Sequence, residues 1–159
     1  MIKVVQINAV YEYSSTGRIT MDLDLALKRE GHRSYVFCTN VHRPEDDIYC
    51  MGSAFSRKIH AFLSRLTGLQ GYYSKNATRK MLRKLDEIQP NVVHLGNLHG
   101  NYIHVNMLLD YLVKQQIPTI ITLHDCWLFT GHCCHYLEDH CDRWQYGCGK
   151  CPAKHKWNK

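Results

Sequence analysis

KVVQINAVYEYSSTGRITMDLDLALKREGHRSYVFC, residues 3–38, has the pattern of a strand, a helix and a second strand. Residues 3–8 and 34–38 are short and rich in β-branched or aromatic side chains, which is typical of buried strands. Between them, apolar residues recur at helical spacing: Ile19, Leu23, Ala26 and Leu27. Gly31 then ends the helix, because glycine supplies the left-handed residue there. The stretch predicts a right-handed β-α-β unit and hence a parallel sheet.

The same alternation continues to residue 123. The further elements are an amphipathic helix at 54–66, a helix at 77–88, a strand at 91–95, a helix at 105–114 and a strand at 119–123. Four strands alternating with helices predict a three-layer α/β domain with a mainly parallel sheet over residues 1–125. Beyond it the periodicity is lost, and residues 126–159 form a segment rich in cysteine and aromatic residues.

Length and composition exclude several classes of protein. The chain has 159 residues, of which 45% are hydrophobic and 21% charged, as expected for one globular domain rather than a disordered or fibrous chain. No apolar run is long enough for a membrane-spanning helix or a signal-peptide core, so we expect a cytoplasmic protein. In that reducing compartment the eight cysteines favour metal ligation or buried thiols over disulfides.

Positive charge is concentrated in one stretch. Residues 48–85 contain no Asp or Glu and eight basic residues: Arg57, Lys58, Arg65, Lys75, Arg79, Lys80, Arg83 and Lys84. This pattern predicts a basic face for an anionic membrane, nucleic acid or a phosphorylated ligand, and we expect residues 54–84 to contact anionic lipid. The alternative is a solvated helix surface, with Phe55, Ile59 and Phe62 packed into the core.

Loops at the carboxyl ends of parallel strands are where ligands bind in such sheets. After the first strand, Thr16 and Gly17 lie in an S-S-T-G run that opens a helix, whose amides suit a phosphate. A Ser/Thr N-cap explains the run equally well. The loop lacks the spacing of a dinucleotide site or a phosphate-binding P-loop, which argues against an NAD enzyme or an NTPase.

Three histidines follow the later strands: His94, His99 and His124. With Asp125 they suit hydrogen bonding to a polyol or acid–base chemistry near neutral pH, although a single histidine in a loop is usually a surface residue. A G-x-S-x-G motif is absent from the sequence, so a serine hydrolase is not supported.

The final segment contains a cysteine cluster: Cys133, Cys134, Cys141, Cys148 and Cys151. The last two form a C-x-x-C, and with Cys141 and either Cys133 or Cys134 they could close a tetrahedral structural zinc site. Buried free thiols and a disulfide or redox pair are the alternatives. Three aromatic residues are expected to pack around this cluster: Trp127, Trp144 and Tyr146.

Three stretches of the sequence are similar to one enzyme family. QINAVYEYSSTGRI at 6–19, the basic stretch up to the loop after residue 95, and TLHDCWLFTGHCCHYLEDHCDRWQYGCGKCP at 122–152 resemble the amino-terminal half of bacterial retaining glycosyltransferases of family 4. The pattern W-x-F-T-G-H-C … C-x-x-W … C-x-x-C-P is typical of the exopolysaccharide or colanic-acid subgroup.

The resemblance implies roles for individual residues. Gly17, with Thr16 beside it, falls on the loop that approaches the donor diphosphate, and His124 falls on the histidine that contacts the donor sugar near the reaction centre. His99 and Asp125 are expected to bind donor or acceptor. The thiols that match the subgroup are those of Cys133, Cys141, Cys148 and Cys151, and Cys134 is the additional one.

The resemblance also implies a GT-B architecture of two Rossmann-like domains. The second domain holds the nucleotide and the paired glutamates of an E-x7-E motif, and we expect it to be absent here, so that the 159 residues alone are inactive. The expected function is that of the acceptor-side half of a retaining transferase, which uses a nucleotide-sugar donor and a saccharide or lipid-linked acceptor. We expect no catalytic cofactor and a peripheral position on the inner membrane face. The partner expected in trans is a carboxyl-terminal GT-B domain. The alternative is a non-catalytic basic module that binds a membrane surface or, less in keeping with the sequence, nucleic acid.

Overall fold

The computed structural model describes residues 1–42, 45–131 and 133–147. Within these residues the chain divides into two compact units, Met1–Thr122 and a second that starts at Leu123. The first unit contains the strands β1 (Lys3–Ile7), β2 (Arg33–Cys38), β3 (Ile48–Cys50), β4 (Val92–Leu95) and β5 (Thr119–Ile121) and the helices α1 (Ser14–Arg29), α2 (Ala54–Thr67), α3 (Lys75–Ile88) and α4 (Val105–Lys114). The second contains α5 (Trp127–Thr130) and two 3-10 turns, Tyr136–Asp139 and Arg143–Gln145.

The strands form one parallel sheet in the order β3-β2-β1-β4-β5. The predicted parallel α/β fold is therefore confirmed, and the sheet has one strand more than the roughly four that the sequence predicts. The strand that was missed, β3, has only three residues and follows Asp46 and Asp47 directly. Such a segment is too short to show a hydrophobic period, and its pairing with β2 creates it.

The core lies on the central strands. Val5, Val36, Val93 and Leu95 are fully buried, as expected for strands of a parallel sheet that helices cover on both faces. Leu85 of α3 and Leu108 of α4 are fully buried as well, and these two helices contact each other. The outer strand β5 is exposed along its whole length.

Helix α1 buries two polar side chains, whereas its apolar side chains are at most partly buried. Ile19 is 50% exposed, whereas the buried residues of the helix are Gly17, Thr20 and Asp24. The face predicted from the spacing of apolar residues is therefore wrong at Ile19. The Asp24 carboxylate accepts a hydrogen bond from the Tyr11 hydroxyl at 2.9 Å and forms an ion pair with Lys28 at 3.1 Å. Burial and the neighbouring carboxylate raise the pKa of Tyr11, so this hydroxyl keeps its proton.

Helix α2 turns its apolar stripe outward. Phe55, Ile59, Phe62 and Leu66 repeat at helical spacing and are 72%, 45%, 64% and 72% exposed. The alternative in which Phe55, Ile59 and Phe62 pack into the core is therefore wrong. The fully buried side chain of this helix is His60. None of the described helices is both long and apolar enough to cross a membrane.

His60 is held by a polar contact on its inner side. Its Nδ1 hydrogen-bonds with Ser74 Oγ at 2.7 Å, and its ring packs edge-on against Tyr73 with the ring centroids 5.4 Å apart. Burial lowers the pKa of His60 to about 4, and the nearby His104 adds to the shift. The ring is therefore neutral at physiological pH.

This lowered pKa predicts a loss of stability in mild acid. Between pH 6.5 and 4 the unfolded chain protonates this histidine and the folded chain does not, so the free energy of unfolding falls as the pH falls. His60 alone should contribute a loss of about 3 kcal/mol by pH 4. Urea denaturation at several pH values should show a shallower dependence for His60→Asn than for the wild type. Identical slopes for the two proteins would contradict the assignment.

Candidate functional site

Asn8 joins the loops that leave β1 and β4 at the carboxyl edge of the sheet. Its Nδ2 donates to Val10 O at 2.8 Å, and its Oδ1 accepts from Asn97 N at 2.6 Å. Ala9 N donates to Asn97 O at 2.9 Å, so that backbone and side chain tie the two loops together. Because Asn8 is 1% exposed, these bonds form away from water and fix both loops.

Gly96 makes room for this amide. A Cβ at Gly96 would lie 2.7 Å from Asn8 Oδ1, a distance that carbon and oxygen do not tolerate. The first residue after β4 must therefore be glycine if Asn8 is to bond to Asn97. The structure thus gives this glycine a packing role.

The amino end of α1 lies behind the loop after β1. Its N-cap residue is Tyr13, whose side chain makes no capping hydrogen bond, and Ser14 already lies inside the helix with φ 61°. The Ser/Thr N-cap alternative for the S-S-T-G run is therefore wrong. Side chains leave the first amides of α1 uncapped, and its first turn contains no acidic residue, which leaves the helix dipole available to an anion.

Thr16 and Gly17 lie where the sequence predicts, in the first turn of α1. Gly17 is buried, and a Cβ there would meet Val10 Cγ2 at 3.2 Å and the Tyr11 backbone at 3.3 Å. The glycine therefore lets the loop after β1 pack closely on the helix. Thr16 O accepts from Thr20 Oγ1 at 2.9 Å and, at 3.4 Å, from the Asn8 amide. This links the amino end of α1 to the Asn8 contacts.

The three candidate histidines have different surroundings. His94 hydrogen-bonds through Nε2 with Thr122 Oγ1 at 2.8 Å, a contact between β4 and the end of β5 that explains this residue structurally. His99 is half-buried in the loop after β4. His124 and Asp125 belong to the second unit, where Asp125 Oδ1 accepts from Trp127 N at 2.8 Å at the start of α5. Asp125 thus has a local structural role beside its predicted one.

An aromatic cluster holds the described part of the second unit. Phe129, Tyr136 and Trp144 pack against one another with ring centroids 5.0 to 6.0 Å apart. Trp144 is therefore held by other aromatic rings, and Trp127 is buried. Their packing around the cysteine cluster stays a prediction. Tyr146 is 85% exposed, so the prediction that it packs with them is wrong.

Three cysteines of the predicted cluster are described: Cys133, Cys134 and Cys141. All three are half-buried, and Cys148 and Cys151 lie outside the described residues. Burial raises the pKa of Cys134 to about 11, with Asp125 as the next contribution. The Cys133 carbonyl accepts from Thr130 Oγ1 at 2.7 Å, and the Cys134 carbonyl accepts from Cys126 N at 2.9 Å, so the backbone of this pair is anchored to α5 and its N-cap.

Two sets of polar contacts that hold loops in place were missed in the sequence: those of Asn8, and the bond between His60 and Ser74. Asn8 follows an apolar strand, and an amide at that point is the signal that marks a strand-end loop. The pair of His60 and Ser74 gave no signal, because the two residues are 14 positions apart and meet only through the packing of α2 against the segment before α3.

Comparison with known proteins places these features in a family. The sequence profile of Glycosyltransferase Family 4 matches residues 16–149, which include Thr16 and Gly17 in the first turn of α1 and the loop after β4. The chain belongs to this family. The resemblance described from the sequence motifs is thereby confirmed.

Two known proteins are similar to parts of this chain. A protein of Escherichia coli strain K12 described as the colanic acid biosynthesis glycosyl transferase WcaC is 35% identical over 69 residues, which are 40% of this chain and 16% of WcaC. The crystal structure of SsfS6, a Streptomyces sp. SF2575 glycosyltransferase, superimposes with a TM-score of 0.41 at 11% identity, and covers 80% of this chain and 42% of SsfS6. The matches thus span less than half the length of either relative.

The role of Asn8 predicts a measurable loss of stability. Asn8→Ala should lower the free energy of unfolding by about 2 kcal/mol, because it leaves the Asn97 amide unpaired inside the protein. Asn91→Ala is the matched control, since Asn91 Oδ1 accepts from Lys3 N at the opposite, exposed end of the same strands and should contribute less than about 1 kcal/mol. Equal losses in urea denaturation would show that Asn8 has no special role.

Proposed function

We propose that this chain forms the acceptor-side part of a retaining glycosyltransferase of surface polysaccharide synthesis. It would help to move a sugar from a nucleotide donor to a saccharide or lipid-linked acceptor. The observation that carries the proposal is that the matched family segment includes Thr16 and Gly17 in the first turn of α1. Side chains leave the amino end of this helix uncapped, behind a loop that Asn8 fixes. WcaC, whose description names colanic acid biosynthesis, supports the choice of polysaccharide synthesis.

Sugar transfer requires these residues to stabilise the charge on the leaving group and to orient the donor sugar. Retaining transfer develops oxocarbenium character at the anomeric carbon and negative charge on the leaving diphosphate. In the proposal, the amides at Thr16 and Gly17 stabilise that charge, because an uncapped helix start offers N–H donors and a positive dipole end. His124 orients the donor sugar, and His99 and Asp125 contribute to binding donor or acceptor.

The proposal is tested by sugar transfer. Because the family resemblance assigns the nucleotide to a second domain, we expect the 159 residues alone to turn over no nucleotide-sugar from a panel of donors. A matching carboxyl-terminal GT-B domain added in trans should restore transfer, and His124→Ala should then reduce its rate roughly 100-fold. His140→Ala is the control, since His140 is an exposed histidine of the same unit. Turnover by the isolated chain, or equal rates for both variants, would refute the assignment.

A peripheral position on an anionic membrane is part of the proposal. The outward stripe of α2, flanked by Lys58 and Arg65, has the apolar and basic faces of an interfacial helix. This apolar stripe favours a membrane over nucleic acid as the partner of a purely binding module.

We expect vesicles that contain acidic lipid to bind the chain, and Lys58→Glu with Arg65→Glu to weaken binding at least tenfold. Each basic residue near such a surface contributes about 1 kcal/mol. Arg29→Glu with Arg33→Glu removes the same charge from exposed residues outside α2 and α3 and should have a smaller effect. Binding that persists unchanged in high salt would contradict the electrostatic part.

We further propose a structural zinc ion held by Cys133, Cys141, Cys148 and Cys151. Four thiolates leave no open position for a catalytic water, so the ion would stabilise the second unit without entering the reaction. Elemental analysis should find about one zinc per chain, as four-ligand sites bind. Cys133→Ser should remove it, while Cys134→Ser should retain it. Metal-free protein that melts at the same temperature would exclude a structural ion.

A further inference from the structure

A basic groove of about 960 Å³ opens between β3, α2 and α3 in the first unit. Four cations of α3 line it: Lys75, Arg79, Lys80 and Lys84. Lys84 pairs with Glu87 at 2.7 Å, whereas in the part of the chain that the structure describes Lys75, Arg79 and Lys80 form no ion pair with a carboxylate. No Asp or Glu is among the residues that line the groove. The groove therefore carries uncompensated positive charge.

The amino end of α3 opens into this groove without a side-chain cap. Ser74 occupies the N-cap position with φ 61° and makes no capping bond, because its hydroxyl contacts the ring of His60 instead. Helix α2 differs, since Ser53 and Ser56 close a full capping box at its start. Lys75, the first residue of α3, lines the groove. The first amides of α3 are thus available to an anion, and the dipole of this 14-residue helix favours one.

His60 supplies a second, independent sign of a ligand. It lines the same groove, is 1% exposed, and its Nε2 has no hydrogen-bond partner among the described residues. A buried polar atom without a partner is costly, and such atoms are normally satisfied by protein, water or a ligand. The neutral ring offers a donor at Nε2 if Nδ1 accepts from Ser74, and an acceptor at Nε2 if Nδ1 donates to Ser74.

The opposite wall of the groove is apolar and continues onto the surface of α2. Ile59 and Leu63 line the groove from this helix, and Ile59 is also one of the four residues of the outward stripe. Phe62, 64% exposed, follows on that stripe. A ligand that placed an anionic group at the start of α3 would therefore have an apolar path along α2 for a hydrocarbon chain.

We propose that this groove binds the phosphate group of a phosphate ester whose hydrocarbon chain lies along α2. The inference rests on the proposed function and deepens it, since it assigns the acceptor to the class of saccharides carried on a lipid phosphate. The phosphate binds to the amides at the start of α3 and to the side chains of Lys75, Arg79 and Lys80. The hydrocarbon chain of the ligand packs against Ile59 and Phe62.

Octyl phosphate, below its micelle concentration, is the probe for this groove. Calorimetry on the full 159-residue chain should show saturable one-to-one binding. Inorganic phosphate, which has the head alone, and octyl glucoside, which has the tail with an uncharged head, should each bind at least tenfold more weakly. Equal binding of either compound would overturn the proposal, because it requires both parts of the ligand.

Variants locate the binding in the groove. Lys75→Gln with Lys80→Gln should weaken octyl phosphate at least tenfold, and Phe62→Ser should weaken it by a smaller factor. Arg83→Gln is the control for a charge lost outside the groove, since Arg83 is exposed on the same helix and does not line the groove. Binding should also move the ¹⁵N resonance of His60 Nε2. A loss caused equally by Arg83→Gln, or an unmoved resonance, would overturn the assignment.

Two further comparisons distinguish a lipid-phosphate acceptor from a membrane phospholipid, and the binding proposal from the proposed catalysis. Dihexanoylphosphatidylglycerol, a membrane-type phosphodiester, should bind more weakly than octyl phosphate, and equal binding would replace the acceptor with a membrane phospholipid. Because binding is measured without sugar transfer, a chain that binds octyl phosphate but transfers nothing would refute only the proposed catalysis. Transfer with no binding of octyl phosphate would refute only the acceptor class.

Discussion

The side-chain amide of Asn8 is the contact on which the arrangement of the sheet edge depends. It sits at the end of the central strand and bonds forward to Val10 and across to Asn97. Gly96 has no side chain, and the loop after β4 can approach for that reason. A single buried amide, satisfied on both of its atoms, thus holds the two loops from which a ligand would be bound.

The placement of α1 follows from the same preference for polar contacts. Gly17 lies against Tyr11, and Asp24 accepts the Tyr11 hydroxyl, so a glycine and a carboxylate dock this helix on the loop after β1. A buried carboxylate is favourable only with partners, and Tyr11 and Lys28 supply them. Removal of one partner would leave a charge inside the protein, which makes the geometry of this loop specific.

The sequence predicts the helices and strands that depend on a local pattern. It misses the contacts between residues that are far apart in the chain. Strands β1, β2 and β4 were predicted because their apolar runs are long enough to show, whereas β3 exists through its pairing with β2. The apolar stripe of α2 was predicted from the spacing of its residues. Spacing alone does not say whether such a stripe faces the core or the solvent. Gly17 was placed correctly in the first turn of α1. The bond between Asn8 and Asn97, by contrast, joins residues 89 positions apart, and no local pattern predicts it.

The outward stripe of α2 has a physical cause in how this helix is anchored. Its fully buried side chain is His60, which is held by a hydrogen bond to Ser74 rather than by apolar packing. That bond turns the Ser74 hydroxyl away from the start of α3, so one contact both fixes α2 and leaves α3 without a cap. Ser53 closes the start of α2 with its own capping box, whereas no side chain caps α3. Of these two helices, α3 is therefore the one whose first amides can bind an anion. The basic side chains of α3 surround that position, and electrostatics and hydrogen bonding therefore favour the same point.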